Sequence, residues 1–393
     1  MSAPAPKDSA DDRSLATLGR VFLRLGLTAF GGPAAHIALF REEIVRRRGW
    51  ITDQRYLDLL GAANLLPGPT STEVAIGIGR ERAGLRGMVV SGGLFILPAA
   101  LLVLAFAVVY DRLGSQPALR WLLYGFQPVV VVIVIRALGA LVPTGAKTAV
   151  AWAIAILALL GGLLGVHPLL VLALAAIAML VARGLVGEGL AALAGLGPTK
   201  GVGLVAGVTG AAGTIGLGSL FLTFLGIGAL TFGSGYLLLA FLQQAFVDPG
   251  LLSNQVLLDA VAVGQVTPGP LFTTATFVGY QLGGLPGAIL ATLGIFLPSF
   301  VLVAVVHPFL PRMRASRRLA ALLDGVNAAA LGLIAAVAVE LARAAFVDAW
   351  SVAIAVVAAA LLFTRRAGPT VVLLAGGAAG LVLGVIGMAT VLG

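Results

Sequence analysis

Apolar runs of about 20 residues, separated by brief Gly, Pro and charged punctuation, make up most of this chain. A run of that length crosses the hydrocarbon core of a bilayer as an α-helix. Eight segments qualify: 86–110, 118–142, 147–165 and 167–186, then 286–310, 319–345, 349–364 and 369–392. Asp111-Arg112, Pro143, His167-Pro168, Pro311-Arg312 and Arg365-Arg366 mark their boundaries. Four other segments do not fit a simple span. Residues 15–46 would make a helix of about 48 Å, longer than the ~30 Å core, and Gly31-Gly32-Pro33 interrupts it. The part after that break carries Arg41, Glu42, Glu43, Arg46, Arg47 and Arg48. Glu42 with Arg46 and Glu43 with Arg47 form favourable i,i+4 pairs, which predicts a helix at the surface. Residues 53–80 are cut by Pro67-Gly68-Pro69 into pieces of about 14 and 11 residues, too short to cross alone. Proline ends the first piece, and Pro69 suits the first position of the next. Helix, break, helix at these lengths reads as a re-entrant hairpin or a broken helix. Segments 217–247 and 254–281 repeat the reading.

The repetition is systematic. Phe30-Gly31-Gly32 maps on Phe232-Gly233-Ser234 at an offset of 202, and Pro67-Gly68-Pro69 on Pro268-Gly269-Pro270 at 201. Gly84-Leu85, Gly87, Pro98 and Gly125 map on Gly284-Leu285, Gly287, Pro298 and Gly325 at 200. So slow a drift marks an internal duplication. The chain divides into a polar tail (1–14, expected to be disordered and cytoplasmic), a first repeat (15–186), a Gly/Ala-rich connector (187–216) and a second repeat (217–393). The fold class is an all-α polytopic membrane protein with two homologous halves, each carrying broken helices. Duplicated halves with matched Gly/Pro breaks point to a transporter whose site lies at the breaks.

Composition agrees and removes other classes. Sixty per cent of residues are hydrophobic, 10% are charged, and the mean hydropathy is +1.07, more apolar surface than a soluble domain hides. The net charge of +9 sits in clusters between apolar runs, a loop pattern that argues against nucleic acid as a partner. Cysteine is absent, which excludes disulfides and thiolate metal sites. Matched loops carry opposite charge bias: 80–86 holds Arg80, Arg82 and Arg86, whereas 281–285 has no arginine; 111–120 is nearly balanced, whereas 311–318 has four arginines. The positive-inside rule then predicts halves inserted in opposite senses.

The breaks carry the candidate chemistry. Thr70-Ser71-Thr72-Glu73 follows Pro69, and Thr273-Thr274 lies in the turn after Pro270. The first turn of a helix has amide N–H groups without intrahelical acceptors and a partial positive charge. Two such turns facing each other would hold a small oxyanion, with Gly31, Gly32, Gly68, Gly233, Ser234 and Gly269 allowing close backbone approach. Simple capping and packing roles remain the alternative. His36 and Arg24 flank the first break, and Asn64 and Gln265 correspond three residues before the two Pro-Gly-Pro triplets. Asp58 and Asp259 are the only carboxylates kept in both halves, and Glu73 lies in the polar turn. An acid within the membrane can carry a proton, so these three are the coupling candidates. No His-Glu-x-x-His, no Gly-x-Ser-x-Gly and no intact P-loop occurs, so catalysis and ATP-driven pumping are not expected, and no pattern calls for a cofactor or metal.

Phe30-Gly31-Gly32-Pro33-Ala34-Ala35-His36-Ile37, Phe40-Arg41-Glu42-Glu43, Arg47-Arg48-Gly49-Trp50 and Leu66-Pro67-Gly68-Pro69 resemble the chromate transporter (CHR) family in its long, two-domain form. So do Leu230-Thr231-Phe232-Gly233-Ser234-Gly235-Tyr236, Gly264 through Pro270, and Ala275-Thr276-Phe277-Val278-Gly279-Tyr280. The resemblance runs from about residue 15 to near the end. It implies a bacterial inner-membrane exporter of chromate driven by the proton-motive force, with oppositely inserted halves. Ser234 departs from a third glycine usual in the family, and Glu73 stands where many members have glutamine. Sulfate or a related oxyanion is the alternative substrate, and a passive channel or a membrane-embedded phosphate enzyme are the rival classes. The oligomeric state is open, with a homodimer as one candidate.

Overall fold

The computed structural model describes residues 14–113, 116–185, 215–232, 235–306 and 316–386. The expected tail, most of the connector, and Gly233-Ser234 lie outside them. Among the described residues there are fourteen α-helices and no strand. The first half comprises α1 (Leu15–Thr28), α2 (Pro33–Phe40, continued as a π-helical stretch Arg41–Arg47), α3 (Asp53–Ala63), α4 (Thr70–Leu113), α5 (Pro117–Gly145), α6 (Ala149–Leu163) and α7 (Pro168–Ala182). The second comprises α8 (Leu217–Leu230), α9 (Leu237–Leu242, continued as π-helical Gln243–Val247), α10 (Asn254–Val266), a 3-10 turn (Leu271–Thr273), α11 (Thr274–Val306), α12 (Arg317–Ala345), α13 (Ala349–Phe363) and α14 (Pro369–Ile386). Each helix of the first half thus has its counterpart in the second.

Local chemistry sets the boundaries. Ser14, Thr52, Thr148, Ser253, Ser316 and Asp348 each cap a helix by accepting a backbone N–H in its first turn. Gly31 and Gly32 break the first segment at φ +98° and +81°, where a side chain would be strained. Pro33 then opens α2.

α4 and α11 are each two helices. Ala83-Gly84 and Gly283-Gly284 leave helical geometry at nearly identical angles, with Gly84 at φ +60° and Gly284 at +59°. The chain folds back sharply there. A Cβ on Gly79 would strike the carbonyl oxygen of Gly87, and Gly279 meets Gly287 in the same way. The hydroxyls of Thr276 and Thr292 bond across the second hairpin at 2.8 Å. Leu59 of α3 packs on Gly77 of the returning arm. Residues 53–82 are therefore a re-entrant hairpin with Pro67-Gly68-Pro69 at its tip.

Among the described residues five helices are long and apolar enough to cross a membrane: Thr70–Leu113, Pro117–Pro143, Leu271–Val306, Arg317–Ala345 and Pro369–Ile386. α6, α7 and α13 come out shorter than their apolar runs, at 15 residues each, or about 22 Å. Caps at Thr148 and Asp348 and the left-handed Gly165 trim them.

The two halves are inverted copies. Where α4 meets α11, Gly92 lies on the ring of Phe300, while Met88, earlier in α4, clusters with Val303 and Val306, later in α11. Equivalent helices that meet antiparallel are related by a two-fold axis perpendicular to them. The halves also interlock. α6 and α7 of the first half pack on α12 of the second, and α13 and α14 pack on α5. Matched glycines permit it: Gly325 touches the carbonyl of Ala175, and Gly125 that of Gly376.

Candidate functional site

The two Pro-Gly-Pro corners dock on each other's halves. The Gly68 N–H donates to the Thr231 carbonyl at 2.7 Å, and the Gly269 N–H donates to the Ala29 carbonyl at 2.9 Å. Ala29 and Thr231 are equivalent residues, each just before its own Phe-Gly break. Each re-entrant tip is thus pinned to the broken helix of the opposite repeat. Both glycines are left-handed, at φ +139° and +104°. A Cβ on Gly68 would collide with Glu73 Oε1 and Ser299 Oγ, and one on Gly269 with the Ala99 methyl. Ser299 and Ala99 correspond, each following a matched proline, Pro298 or Pro98.

His36 ties this junction to the polar turn. Its Nε2 lies 2.9 Å from the Ala29 carbonyl, and its Nδ1 3.2 Å from Ser71 Oγ. A carbonyl only accepts, so Nε2 carries the proton, and the neutral ring receives the Ser71 hydroxyl at Nδ1. The ring meets Phe95 edge-on at 5.7 Å. Ala29 O therefore serves both His36 and Gly269, which joins the two corners through one carbonyl.

The polar groups around the first corner are buried, and three of the residues there carry atoms without a partner. Thr70, Ser71, Thr72 and Glu73 are all buried. Neither carboxyl oxygen of Glu73, nor the hydroxyls of Thr72 and Ser299, has a hydrogen-bond partner among the described residues. In the second corner the Thr273 hydroxyl is spent on the Pro270 carbonyl at 2.8 Å, whereas the buried Thr274 hydroxyl is unpaired. A cavity of about 10 Å³ lies beside Glu73, between α3 and Val303 of the opposite repeat. It has room for one water, not for an anion with four oxygens.

The other sequence candidates fall elsewhere. Gly31 is exposed and Gly32 half-buried at the first break. Gly233 and Ser234 lie outside the described residues. Asp259 is buried but fully engaged: Tyr110 Oη donates to it at 3.0 Å and Gln127 Nε2 at 2.9 Å, tying α10 to α4 and α5. It precedes Pro268 by nine residues, about 13 Å of helix, so it stands apart from the corner. Asp58 is half-buried on α3 near Arg55. Asn64 is exposed. Gln265 Nε2 donates to the Tyr236 hydroxyl at 3.1 Å. Arg24 is exposed and reaches Glu43 at 4.0 Å, at the edge of a charged cluster with Arg47 and Arg48. Arg80 crosses to the opposite repeat, donating to the carbonyls of Val303 and Ala304 near the end of α11, where a cation meets the negative end of the helix. Ser299, Tyr110, Gln127 and Arg136 join the list of polar groups at or between the repeats. Of these only Arg136, a charge in an apolar run, carried a signal in the linear pattern.

The family model described as Chromate transporter matches residues 16–180 and again 218–381. The chain is 34% identical to a chromate transport protein of Pseudomonas aeruginosa, over 91% of this chain and 90% of the relative. It is 30% identical to a chromate transport protein of Cupriavidus metallidurans, over 95% and 96%. It is 27% identical to an uncharacterized transporter of Methanocaldococcus jannaschii, over 84% of each. No solved structure matches the chain. With both repeats matched by one model and similarity sustained over nearly its whole length, this multi-pass membrane protein belongs to the chromate transporter family.

Proposed function

We propose that this protein is a secondary active transporter that exports chromate across the bacterial inner membrane at the expense of the proton gradient. Family membership supports an oxyanion substrate. The observation that carries the coupled reading is the crossing of the two re-entrant tips beside a buried carboxyl without a partner. Inverted repeats that meet at broken helices are the architecture of alternating access. Each tip offers the first turn of a half-helix, whose amides and hydroxyls suit a tetrahedral dianion. Thr70, Ser71 and Thr72 serve on one side and Thr274 on the other, once the Gly68–Thr231 and Gly269–Ala29 bonds release. Glu73, one turn inside the first tip, is the group on which a proton rides. Asp259 acts instead as a tie between repeats, because two donors already hold it.

Inside-out vesicles with an imposed pH gradient test this reading. Chromate should accumulate when the gradient is present and sulfate should compete. Glu73→Gln should abolish gradient-driven accumulation while leaving downhill chromate movement. Accumulation that ignores the gradient, or survives Glu73→Gln unchanged, would remove proton coupling through this residue. Sulfate accumulation with no chromate uptake would reassign the substrate.

A further inference from the structure

The two corners are not equal in charge. Glu73 stands at the first, and its counterpart in the second is Thr274. A cation is likewise confined to the first repeat. Arg136 is borne by α5, whose counterpart in α12 is Ala336. α5 runs from Pro117 to Gly145. Arg136 is five residues past its midpoint, about 7 Å, and so well inside the apolar span. A guanidinium there is expensive unless it is paired or faces a polar path. Yet Arg136 Nη1 is buried and has no hydrogen-bond partner among the described residues. It lies within electrostatic reach of Tyr236. Tyr236 directly follows the second Phe-Gly break, and its hydroxyl is bonded by Gln265, three residues before Pro268. Tyr236 and Gln265 are thus hydrogen-bonded at the root of the second corner, with the Arg136 charge within electrostatic reach.

We infer that Arg136 is an anion-binding residue of the transport path, adding a charged donor on the side of the second corner to the hydroxyls of both tips, while Glu73 at the first corner carries the proton. The inference rests on the transport reading above and assigns the proton and the anion to different residues of the first repeat. An unpaired donor on a planar guanidinium fits two oxygens of a tetrahedral oxyanion. Tyr236 and Gln265 add a hydroxyl and an amide at the root of the same corner. A purely structural arginine would have its nitrogens bonded to carbonyls or acids, as Arg80 does with Val303 and Ala304.

Equilibrium binding of radiolabelled chromate to the purified, detergent-solubilised full chain tests this, with sulfate as competitor and thermal melting of each variant alongside. Arg136→Gln should weaken chromate binding on the order of tenfold to a hundredfold, as expected for loss of one charged hydrogen-bonding group. Arg136→Lys should weaken it less. Neither should lower the melting temperature, since a buried unpaired charge is removed or kept. An Arg136→Gln protein that melts normally and binds chromate with unchanged affinity overturns the inference. So does one that melts well below wild type while Arg136→Lys binds and melts normally with unaltered anion competition. Failure of the wild-type chain to bind either anion would instead overturn the transport reading itself.

Discussion

Gly68 and Gly269 show how much a single missing side chain decides here. Both sit at positive φ, and the space for a Cβ is already filled, at Gly68 by Glu73 and by Ser299 of the opposite repeat and at Gly269 by Ala99 of the opposite repeat. Gly68→Ala and Gly269→Ala should each cost about 1–3 kcal/mol in backbone strain alone, with the collision added. The expected result is a lower melting temperature in detergent and loss of transport. Gly93 offers the contrast, a helical glycine with open space around its α-carbon. Gly93→Ala should raise stability by roughly 0.5–1 kcal/mol, the usual gain for alanine over glycine inside a helix. Equal effects at the three positions would refute the close approach at the corners. His36 is decisive in another way, because both of its nitrogens are used, on Ala29 and Ser71. Its counterpart is the buried Leu238. His36→Leu should destabilise by about 1–3 kcal/mol, the cost of stranding buried polar partners, and thermal melting would register it.

At the scale of elements, the linear pattern placed the helices because an apolar run has one economical solution in lipid, a helix with its backbone bonds internal, although three of the eight expected spans came out at 15 residues. Residues 118–142 became Pro117–Gly145 and 319–345 became Arg317–Ala345. It also placed the interruptions, because Gly and Pro act on the backbone locally. What it missed was the direction of the chain after each break. Nothing in the spacing of Gly84 says that 70–82 turns back along 85–113; that follows from Gly79 and Gly87 fitting together. Nor did it distinguish the two conserved-in-duplicate aspartates. Asp259 turns out to be a cross-tie among Tyr110, Gln127 and, through Gln127, Gln255. Asp259→Ala should therefore act first on stability, by about 1–3 kcal/mol. A double-mutant cycle with Gln127→Ala should show strong coupling. Additive effects in that cycle would separate the two residues and return Asp259 to the list of transport acids.

For the whole molecule, the interlocked repeats make a strong claim about folding. α6 and α7 find their packing surface on α12, α13 and α14 find theirs on α5, and each tip bonds to the other half. A half expressed alone leaves those faces uncovered. Residues 1–200 and 201–393 should each give aggregated or degraded protein when produced singly, and a co-eluting complex when produced together, as judged by size-exclusion chromatography. Two independently stable halves would be incompatible with this architecture.

The sequence alone determined the membrane setting, the helix inventory, the duplication and the location of the breaks. These follow from hydrophobicity, periodicity and the backbone limits of Gly and Pro, which act within a few residues. Only the tertiary structure decided which groups share the site. It brought Ser299 and Glu73 to Gly68 and set Gly269 on the carbonyl that His36 also holds. It also moved Arg24 and Asn64 to the outside. Those meetings depend on how two inverted copies cross, and residues about 200 positions apart carry no local mark of the partner they will face.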